Sequence, residues 1–236
     1  ATNRVGIVGH SEGGLIAPLA ATRSERVAYI VMLAGPGIPG IDILVAQGQL
    51  INRAAGAPEA AVEMNARLQS MLADIAKEEP DPEKAGPLMR SAMREEIALL
   101  PQAIMELIPE SQINDVAINT TVNQFNSPWF RFFLHYDPRP VLEQVSVPVL
   151  AIFGEKDLQV PHDLNVPEIE AAFERGNNEA ATVRVLPGLN HLFQQAESGA
   201  PSEYQQIEET FNQSALELVS SWILKQFTSP KADTLN

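Results

Sequence analysis

The sequence predicts an α/β protein: a parallel sheet of about four strands, flanked by helices, with a mainly helical segment inserted after the second strand. Short apolar runs predict the strands at Val5 to Val8, Val27 to Leu33, Val147 to Phe153 and Thr182 to Leu186. Their near-continuous apolar character is typical of strands that are covered on both faces. Helical patterns separate the runs, and strands that alternate with helices form parallel sheets.

Three helical patterns belong to the predicted sheet region. Leu15 to Thr22 follows the first strand, Leu164 to Arg175 follows the third, and Tyr204 to Phe227 forms a long C-terminal segment. Ser229 to Asn236 is predicted to be a frayed tail. Apolar residues recur in the C-terminal segment at three- and four-residue spacing, which predicts one buried stripe. The stripe consists of Ile207, Phe211, Ala215, Leu218, Trp222 and Ile223.

The chain between the second and third strands has helical spacing and no convincing strand pattern. Prolines interrupt it, for example at Pro58 and Pro101. We therefore expect residues 1–40 to hold the first two strands, residues 41–126 to form a helical insertion, and residues 127–236 to complete the sheet region.

Composition and charge exclude several classes of function. The chain has 16 Lys and Arg residues against 30 Asp and Glu residues, a net charge of -14, so we expect neither nucleic acid nor an anionic membrane surface as a partner. No uncharged apolar stretch is long enough to span a bilayer. Without cysteine there are no disulfides, thiolate nucleophiles or zinc fingers. Neither a metal site nor a cofactor is predicted. The cell compartment stays open, although the cytoplasm is favoured.

Gly9 to Gly14 follows a predicted strand and precedes a predicted helix. This is the context of the G-x-S-x-G nucleophile elbow, with Ser11 in the tight turn between the two elements. Gly9 and Gly13 are expected to lack side chains so that neighbouring backbone segments can approach the turn closely. The amide of Glu12 would lie at a helix N-terminus, where it can stabilise an oxyanion. The alternative is a glycine-rich helix start that only packs tightly.

A serine nucleophile needs a base and an orienting acid, and candidates follow in the sequence. Asp157 comes after the third strand and His191 after the fourth, both in loops at the strand ends, where open α/β sheets collect functional groups. Asp157 could instead be a helix cap or turn residue. Competing acids are Glu155 and Asp163, and competing histidines are His10, His135 and His162.

The order in which Ser, Asp and His occur along the chain, and the sequence around each of them, resemble the motifs of the α/β-hydrolase family. The matching segments are Gly9 to Gly14, Val147 to Asp157 and Gly188 to Phe193, and they are most similar to bacterial esterase and lipase-like members with a helical cap. The resemblance implies that Ser11 is the nucleophile, His191 the general base and then acid, and Asp157 the group that holds the imidazole tautomer.

The resemblance also implies a partial α/β-hydrolase fold. Family members reach the nucleophile elbow only after several strands, whereas here it begins at Gly9, so we expect the match to cover the C-terminal half of the fold only. A second oxyanion donor has no counterpart in the chain. The first strand would then be an apolar sheet edge, which predicts either a homo-oligomer formed through that edge or a separate chain that supplies the missing half.

The function implied by the resemblance is a serine hydrolase of small-molecule carboxylic esters with small to medium acyl chains. Thioesters and amides would use the same machinery, and a dehalogenase is disfavoured because its family has an aspartate where Ser11 stands. His10 is expected to form a pocket wall, and Trp129 and Phe133 an apolar acyl pocket, although simple packing also explains the aromatic cluster. The alternative function is a catalytically inactive, truncated hydrolase fragment or a binding or assembly module.

Overall fold

The computed structural model describes residues 5–228, and the predicted tail Ser229 to Asn236 lies outside them. The chain divides into two compact units, one from Ala1–Gly37 and Pro138–Asn236 and the other from Ile38–Asp137. The described part of the first unit is called the sheet unit, and the second unit is called the helical unit.

The sheet unit contains four parallel strands: β1 (Val5–His10), β2 (Val27–Leu33), β3 (Val149–Gly154) and β4 (Ala181–Leu186). They lie in the order β1-β2-β3-β4. The predicted parallel sheet of about four strands flanked by helices is confirmed. Strand β3 begins two residues later than predicted, because Pro148 has no N–H to donate to a neighbouring strand.

The helices follow the alternation that the sequence predicts, with boundaries that differ in places. The sheet unit has α1 (Glu12–Arg23) after β1. The helical unit has α2 (Gly40–Ala54), α3 (Glu59–Glu78), α4 (Pro82–Ala98), α5 (Gln102–Met105), α6 (Glu110–Ile113), α7 (Asp115–Phe125) and α8 (Pro128–His135). The sheet unit continues with α9 (Arg139–Leu142), α10 (His162–Arg175) and α11 (Gln213–Thr228). None of the helices within residues 5–228 is both long and apolar enough to cross a bilayer.

Burial within the sheet increases toward its middle. All six residues of β3 are buried, as expected for a central strand of a parallel sheet. Strand β1 is an outer strand of the described sheet, and Val5 and Val8 are each 51% exposed. The sheet is thus most rigidly packed at β3, whose end carries one of the candidate functional loops.

The prediction that the C-terminal helix begins at Tyr204 is wrong. Helix α11 begins at Gln213, and Asn212 precedes it with its side-chain oxygen accepting a hydrogen bond of 3.0 Å from Ser214 N. Glu209, upstream, binds the loop that follows β4: its carboxylate accepts from Gln195 N at 2.6 Å and its carbonyl from Gln194 Nε2 at 3.0 Å. These contacts hold the segment in a non-helical conformation, so Ile207 and Phe211 lie outside the helix.

The remaining part of the predicted stripe is present on α11. Ala215 of the stripe is buried, and the Trp222 ring lies against Tyr29 of β2 at a centroid distance of 5.9 Å. Val219, which the prediction did not include, is buried as well. An edge-to-face aromatic pair of this kind adds to the hydrophobic burial of both rings. Helix α11 therefore packs against the sheet.

The helical unit has an apolar core of its own. Met64, Leu68 and Leu72 on α3 pack with Met89 on α4 and Val122 on α7. The spacing of the α3 residues places them on one helix face. The helical unit therefore has a buried core to which several of its helices contribute.

Arg131 of α8 fastens the end of α3 inside the helical unit. Its Nη1 donates to Ala76 O at 2.7 Å and to Glu79 O at 3.0 Å. Its Nε and Nη2 donate to Asn126 Oδ1 at 3.1 and 2.7 Å. The last carbonyls of a helix have no intrahelical partner, and the planar guanidinium satisfies two of them at once.

Candidate active site

The candidate site is built at the carboxyl ends of three strands of the sheet unit. Strand β1 ends at His10 and leads directly to Ser11, β3 ends at Gly154 before Asp157, and β4 ends at Leu186 before His191. Carboxyl ends of parallel strands share one edge of a sheet, which is where open α/β sheets form their sites.

Ser11 sits in a strained turn between β1 and α1. Its backbone has φ 55 and ψ -117, in a region that non-glycine residues rarely adopt. Two hydrogen bonds hold this conformation: Ser11 N donates to Leu33 O at 2.8 Å, and Gly14 N donates to Ser11 O at 2.9 Å. The geometry resembles that of a nucleophile elbow, a sharp turn between a strand and a helix with serine at its apex.

The glycine requirement differs from the one that the motif predicts. A Cβ on Gly9 would collide with the backbone carbonyl of Gly13, so Gly9 is needed. A Cβ on Gly13 would meet nothing within 4 Å, and the expectation for that position is wrong. The second close approach involves Gly14 instead, where a Cβ would lie 2.6 Å from Gly35 Cα. The turn thus depends on Gly9 and Gly14.

The Asp157 carboxylate is buried and binds on both oxygens. Oδ1 accepts hydrogen bonds from Gln159 N at 2.8 Å and Val160 N at 2.9 Å. Oδ2 accepts from His191 Nδ1 at 2.9 Å. The two amides fix the carboxylate, and the carboxylate in turn fixes the imidazole ring with its proton on Nδ1, since an ionised carboxylate can only accept. His191 Nε2 is left able to accept a proton.

A tightly bonded loop holds His191. The neighbouring Asn190 is fully buried, and its Oδ1 accepts from Leu192 N at 2.9 Å and Gln194 N at 3.0 Å. The carbonyls of Leu189 and Asn190 pack onto Gly154, where a Cβ would collide with them. The absence of a side chain at Gly154 therefore brings the histidine loop against the end of β3, and with it toward Asp157.

The competing acids have other partners. Glu155 Oε2 accepts from Gly188 N at 2.8 Å, so this carboxylate holds the start of the histidine loop. Asp163 Oδ1 accepts from Leu164 N at 3.1 Å in the first turn of α10. Among the three candidates, the geometry pairs only Asp157 with His191.

His10 links the serine turn to the histidine loop. Its Nε2 lies 2.8 Å from His191 O, and because a carbonyl can only accept, His10 Nε2 carries the proton. The His10 and His191 rings are 4.6 Å apart. Burial lowers the pKa of His10, and this outweighs the opposing effect of the hydrogen bond to His191 O. The neutral ring is favoured. The role of His10 as a pocket wall stays a prediction.

The Ser11 hydroxyl makes no hydrogen bond with His191 within residues 5–228. Contacts between nucleophile and base are often long in a substrate-free enzyme and shorten when substrate binds. Glu12 is the first residue of α1, so its amide belongs to the N-terminal turn of that helix, where the dipole favours negative charge.

The role of Trp129 and Phe133 in an acyl pocket stays a prediction. Trp129 and Phe133 belong to α8 of the helical unit, where their rings stack at 5.6 Å with an interplanar angle of 11°. Of the competing histidines, His135 ends α8 and His162 begins α10. In the part of the chain that the structure describes, no group of three or more His, Asp or Glu residues is arranged to hold a metal ion.

The sequence analysis missed two residues that shape the site. Asn190 forms the turn that presents His191, and Lys156 Nζ donates to Ala196 O and Glu197 O, each at 2.8 Å, at the far end of the same loop. An asparagine two residues after Gly188, in a short segment between a strand and His191, was a signal for the first. The two hydrogen bonds of Lys156 join residues that are 40 and 41 positions apart, so no local sequence pattern indicates them.

Comparison with known proteins identifies one family. The sequence model of the alpha/beta hydrolase family matches residues 1–202. No curated protein matches the chain. The expected restriction to the C-terminal half of the fold is not supported by the family match.

Solved structures that resemble the chain have low sequence identity to it. MenH from S. aureus is 13% identical with a TM-score of 0.43, over 95% of this chain and 69% of its own. The Pyrococcus furiosus esterase Pf2001 is 13% identical with a TM-score of 0.43, over 95% of this chain and 54% of its own. A thermophilic esterase from Thermogutta terrifontis is 16% identical with a TM-score of 0.42, over 95% and 66%. The chain thus spans between about half and two thirds of these proteins.

Proposed function

Because the chain belongs to the alpha/beta hydrolase family, we propose that it is a serine hydrolase that cleaves carboxylic esters through an acyl-enzyme on Ser11. The observation that carries the proposal is the hydrogen bond of 2.9 Å between His191 Nδ1 and Asp157 Oδ2. It fixes the tautomer that a general base for serine requires. The strained backbone of Ser11 at the same sheet edge supports the role of that residue as nucleophile.

In the first half of the proposed reaction, Ser11 Oγ attacks the ester carbonyl carbon and His191 Nε2 takes the hydroxyl proton. The carbonyl oxygen becomes an oxyanion, which the N–H of Glu12 stabilises at the start of α1. Asp157 stabilises the imidazolium without taking its proton. When the tetrahedral intermediate collapses, the bond to the alcohol oxygen breaks, and the alcohol leaves with the proton from His191.

In the second half, water attacks the acyl-enzyme and His191 takes a proton from it. Collapse of the second intermediate releases the carboxylic acid, and the proton returns to Ser11 Oγ. The sum is ester and water giving acid and alcohol. We propose small to medium acyl chains as substrates, an inference that rests on the apolar and aromatic composition of the helical segment.

The alternative proposal is a non-catalytic, hydrolase-like binding or assembly module. Such a module would need no hydrogen bond between Ser11 Oγ and His191, and the described residues show none. The two proposals differ in turnover, which a direct assay measures.

The test is hydrolysis of p-nitrophenyl acetate, butyrate and palmitate by the wild type and by Ser11→Ala and His191→Ala. We expect turnover of the two shorter esters, a loss of about 10⁴-fold or more in kcat in each variant, and no further loss in the double variant, because the two residues act as a unit. Turnover that survives in Ser11→Ala would overturn the proposal. Folded wild type that turns over none of the esters would favour the non-catalytic module.

A further inference from the structure

His10 contacts the proposed base and belongs to the strand that leads to the proposed nucleophile. Its Nε2 donates to His191 O at 2.8 Å, and the two imidazole rings are 4.6 Å apart. We propose that His10 is a positioning residue for His191: as a neutral donor it holds the backbone of the base without placing a second positive charge beside the imidazolium that forms in the reaction. The inference rests on the proposed function and adds one residue to its site.

The hydrogen bond from His10 holds the backbone of the residue that carries the base. The side chain of His191 is held separately by Asp157 Oδ2, which accepts from Nδ1 at 2.9 Å. The imidazole is therefore anchored through both its backbone and its Nδ1 atom. Proton transfer is sensitive to small displacements of a base, because the reacting atoms must come within hydrogen-bond distance. Loss of the bond to His191 O should therefore lower kcat.

The ring of His10 is itself held in place by Phe193. The two rings lie edge to face with centroids 6.3 Å apart, and the fully buried Phe193 stacks on Phe211 at 5.4 Å. Phe193 has a φ of 57°, which a bulky residue rarely adopts. Its N–H donates to Asn190 O at 3.0 Å, and its carbonyl accepts from Asn212 N at 2.8 Å. Strain of this kind persists where the surrounding contacts fix the backbone, so Phe193 gives His10 a rigid neighbour.

The short distance between the two imidazole rings limits the charge that His10 can carry. His191 becomes an imidazolium when it takes the proton from Ser11, and a positive charge on His10 would oppose that step at a ring distance of 4.6 Å. Burial lowers the pKa of His10, which favours the neutral ring. The ionisable side chains that act on His10 in the described part of the chain are His191, which lowers this pKa, and Asp157, which raises it.

Three substitutions separate the hydrogen bond from the charge. His10→Gln keeps a neutral donor, His10→Leu removes the donor, and His10→Lys keeps a donor but adds a charge. With p-nitrophenyl butyrate at pH 8, we expect kcat to fall by about 3- to 10-fold in His10→Leu, the loss typical of one hydrogen bond, and to be largely restored in His10→Gln. KM should stay the same, because the base moves and the substrate does not. A raised KM with unchanged kcat in His10→Leu would make His10 a pocket wall and overturn the proposal.

The charge is tested by comparing His10→Lys with His10→Gln. We expect kcat to be about 2- to 10-fold lower in His10→Lys, and the acid limb of its kcat/KM profile to lie about 0.5 to 1 pH unit lower, because a nearby cation makes His191 harder to protonate. A merely structural role of His10 would lower kcat without moving the acid limb. The matched control Ser220→Lys adds the same charge at an exposed position of α11 and should change neither quantity. Acid limbs that coincide in His10→Lys and His10→Gln would overturn the proposal.

The comparison does not depend on His10→Leu alone. Near-ultraviolet circular dichroism shows whether each variant keeps its tertiary structure. Should His10→Leu misfold, His10→Gln and His10→Lys still test the proposal, because both keep a donor for His191 O.

A measurement without turnover separates this proposal from the proposed function. In a Ser11→Ala background, proton NMR follows the His191 ring through its Nδ1–H, which is bonded to Asp157, and through its titration with pH. We expect the Nδ1–H signal to be kept in His10→Gln and lost in His10→Leu, and His191 to titrate about 0.5 to 1 pH unit lower in His10→Lys than in His10→Gln. These changes in a protein that hydrolyses no ester would support the positioning role and overturn the esterase function alone. An unchanged His191 ring in all three variants would overturn the positioning role, whether or not the wild type hydrolyses esters.

Discussion

His10 Nε2 donates a hydrogen bond of 2.8 Å to the backbone carbonyl of His191, so the strand that leads to Ser11 is joined directly to the loop that carries the proposed base. The ring of His10 is part of this link. Its pKa is lowered from the ordinary value of 6.5, with burial as the largest cause. Burial of the ring opposes protonation, whereas the hydrogen bond to His191 O, which a protonated ring would also donate, favours it.

Acidification should weaken the sheet unit through His10. The unfolded chain takes up a proton near pH 6.5, but the folded chain does so only at lower pH, so folding stability falls as the pH drops through this window. In His10→Gln the amide can still donate to His191 O without titrating. We expect the wild type to lose more stability than His10→Gln between about pH 7.5 and about pH 5.5.

Urea unfolding measures this difference, with Trp222 as the reporter of the sheet unit in a Trp129→Phe background. Other titrating groups, including His135, are present in both proteins and cancel. An identical pH dependence of the two unfolding free energies would show that His10 does not contribute.

Substitutions at Gly9 and Gly13 should differ sharply in their effect on stability. Gly9→Ala forces a Cβ into the carbonyl of Gly13, and we expect a loss of about 2 kcal/mol or more in the free energy of unfolding. Gly13→Ala meets open space within α1 and should be neutral or gain up to about 1 kcal/mol from helix propensity. Urea unfolding of both variants measures the two changes in the free energy of unfolding. Equal losses of stability in Gly9→Ala and Gly13→Ala would contradict the turn geometry.

Asp157→Asn should separate the two functions of the carboxylate. The amide oxygen can still accept from Gln159 N and Val160 N, but the amide cannot hold His191 in the same tautomer. We expect kcat for p-nitrophenyl butyrate to fall by about 10³- to 10⁴-fold while the fold is kept. The matched control is Asp163→Asn, which should leave kcat unchanged. A comparable loss in the control would mean that the acid has been misassigned.

Arg131→Lys should destabilise the helical unit. A lysine cannot bind Ala76 O, Glu79 O and Asn126 Oδ1 together, and we expect a loss of about 1–3 kcal/mol. The exposed pair of Arg94 and Asp115 offers a control, since Arg94→Lys should cause no measurable change. Unfolding followed by Trp129 fluorescence in a Trp222→Phe background compares them. Similar stability of Arg131→Lys and the wild type would contradict the stabilising role of the Arg131 hydrogen bonds.

Much of the sheet unit follows from local sequence. Apolar strands between helical patterns predict a parallel sheet, and parallel strands bring their carboxyl ends to one edge, so the positions of Ser11, Asp157 and His191 could be predicted together. Position in the loop alone left Glu155 open beside Asp157, and only the resemblance to the family favoured Asp157. In the structure the Glu155 carboxylate accepts from Gly188 N, a contact that no local pattern indicates.

Features set by contacts between distant segments had no signal in the sequence. Helical periodicity continues upstream of Gln213, but Glu209 is bound by the histidine loop, and this tertiary contact overrides the local preference. The G-x-S-x-G pattern likewise gives Gly9 and Gly13 equal weight, whereas packing distinguishes them. How the helices of the helical unit pack together had no signal either, because periodicity predicts only that each helix has a buried face.

The central claim is that Ser11 is an activated nucleophile. The most direct measurement is intact-mass analysis after reaction with a fluorophosphonate, on the wild type, Ser11→Ala and the exposed control Ser220→Ala. We expect a single adduct on the wild type and on Ser220→Ala, and none on Ser11→Ala. Labelling of Ser11→Ala to the same extent as the wild type, or no labelling of any of the three proteins, would contradict it.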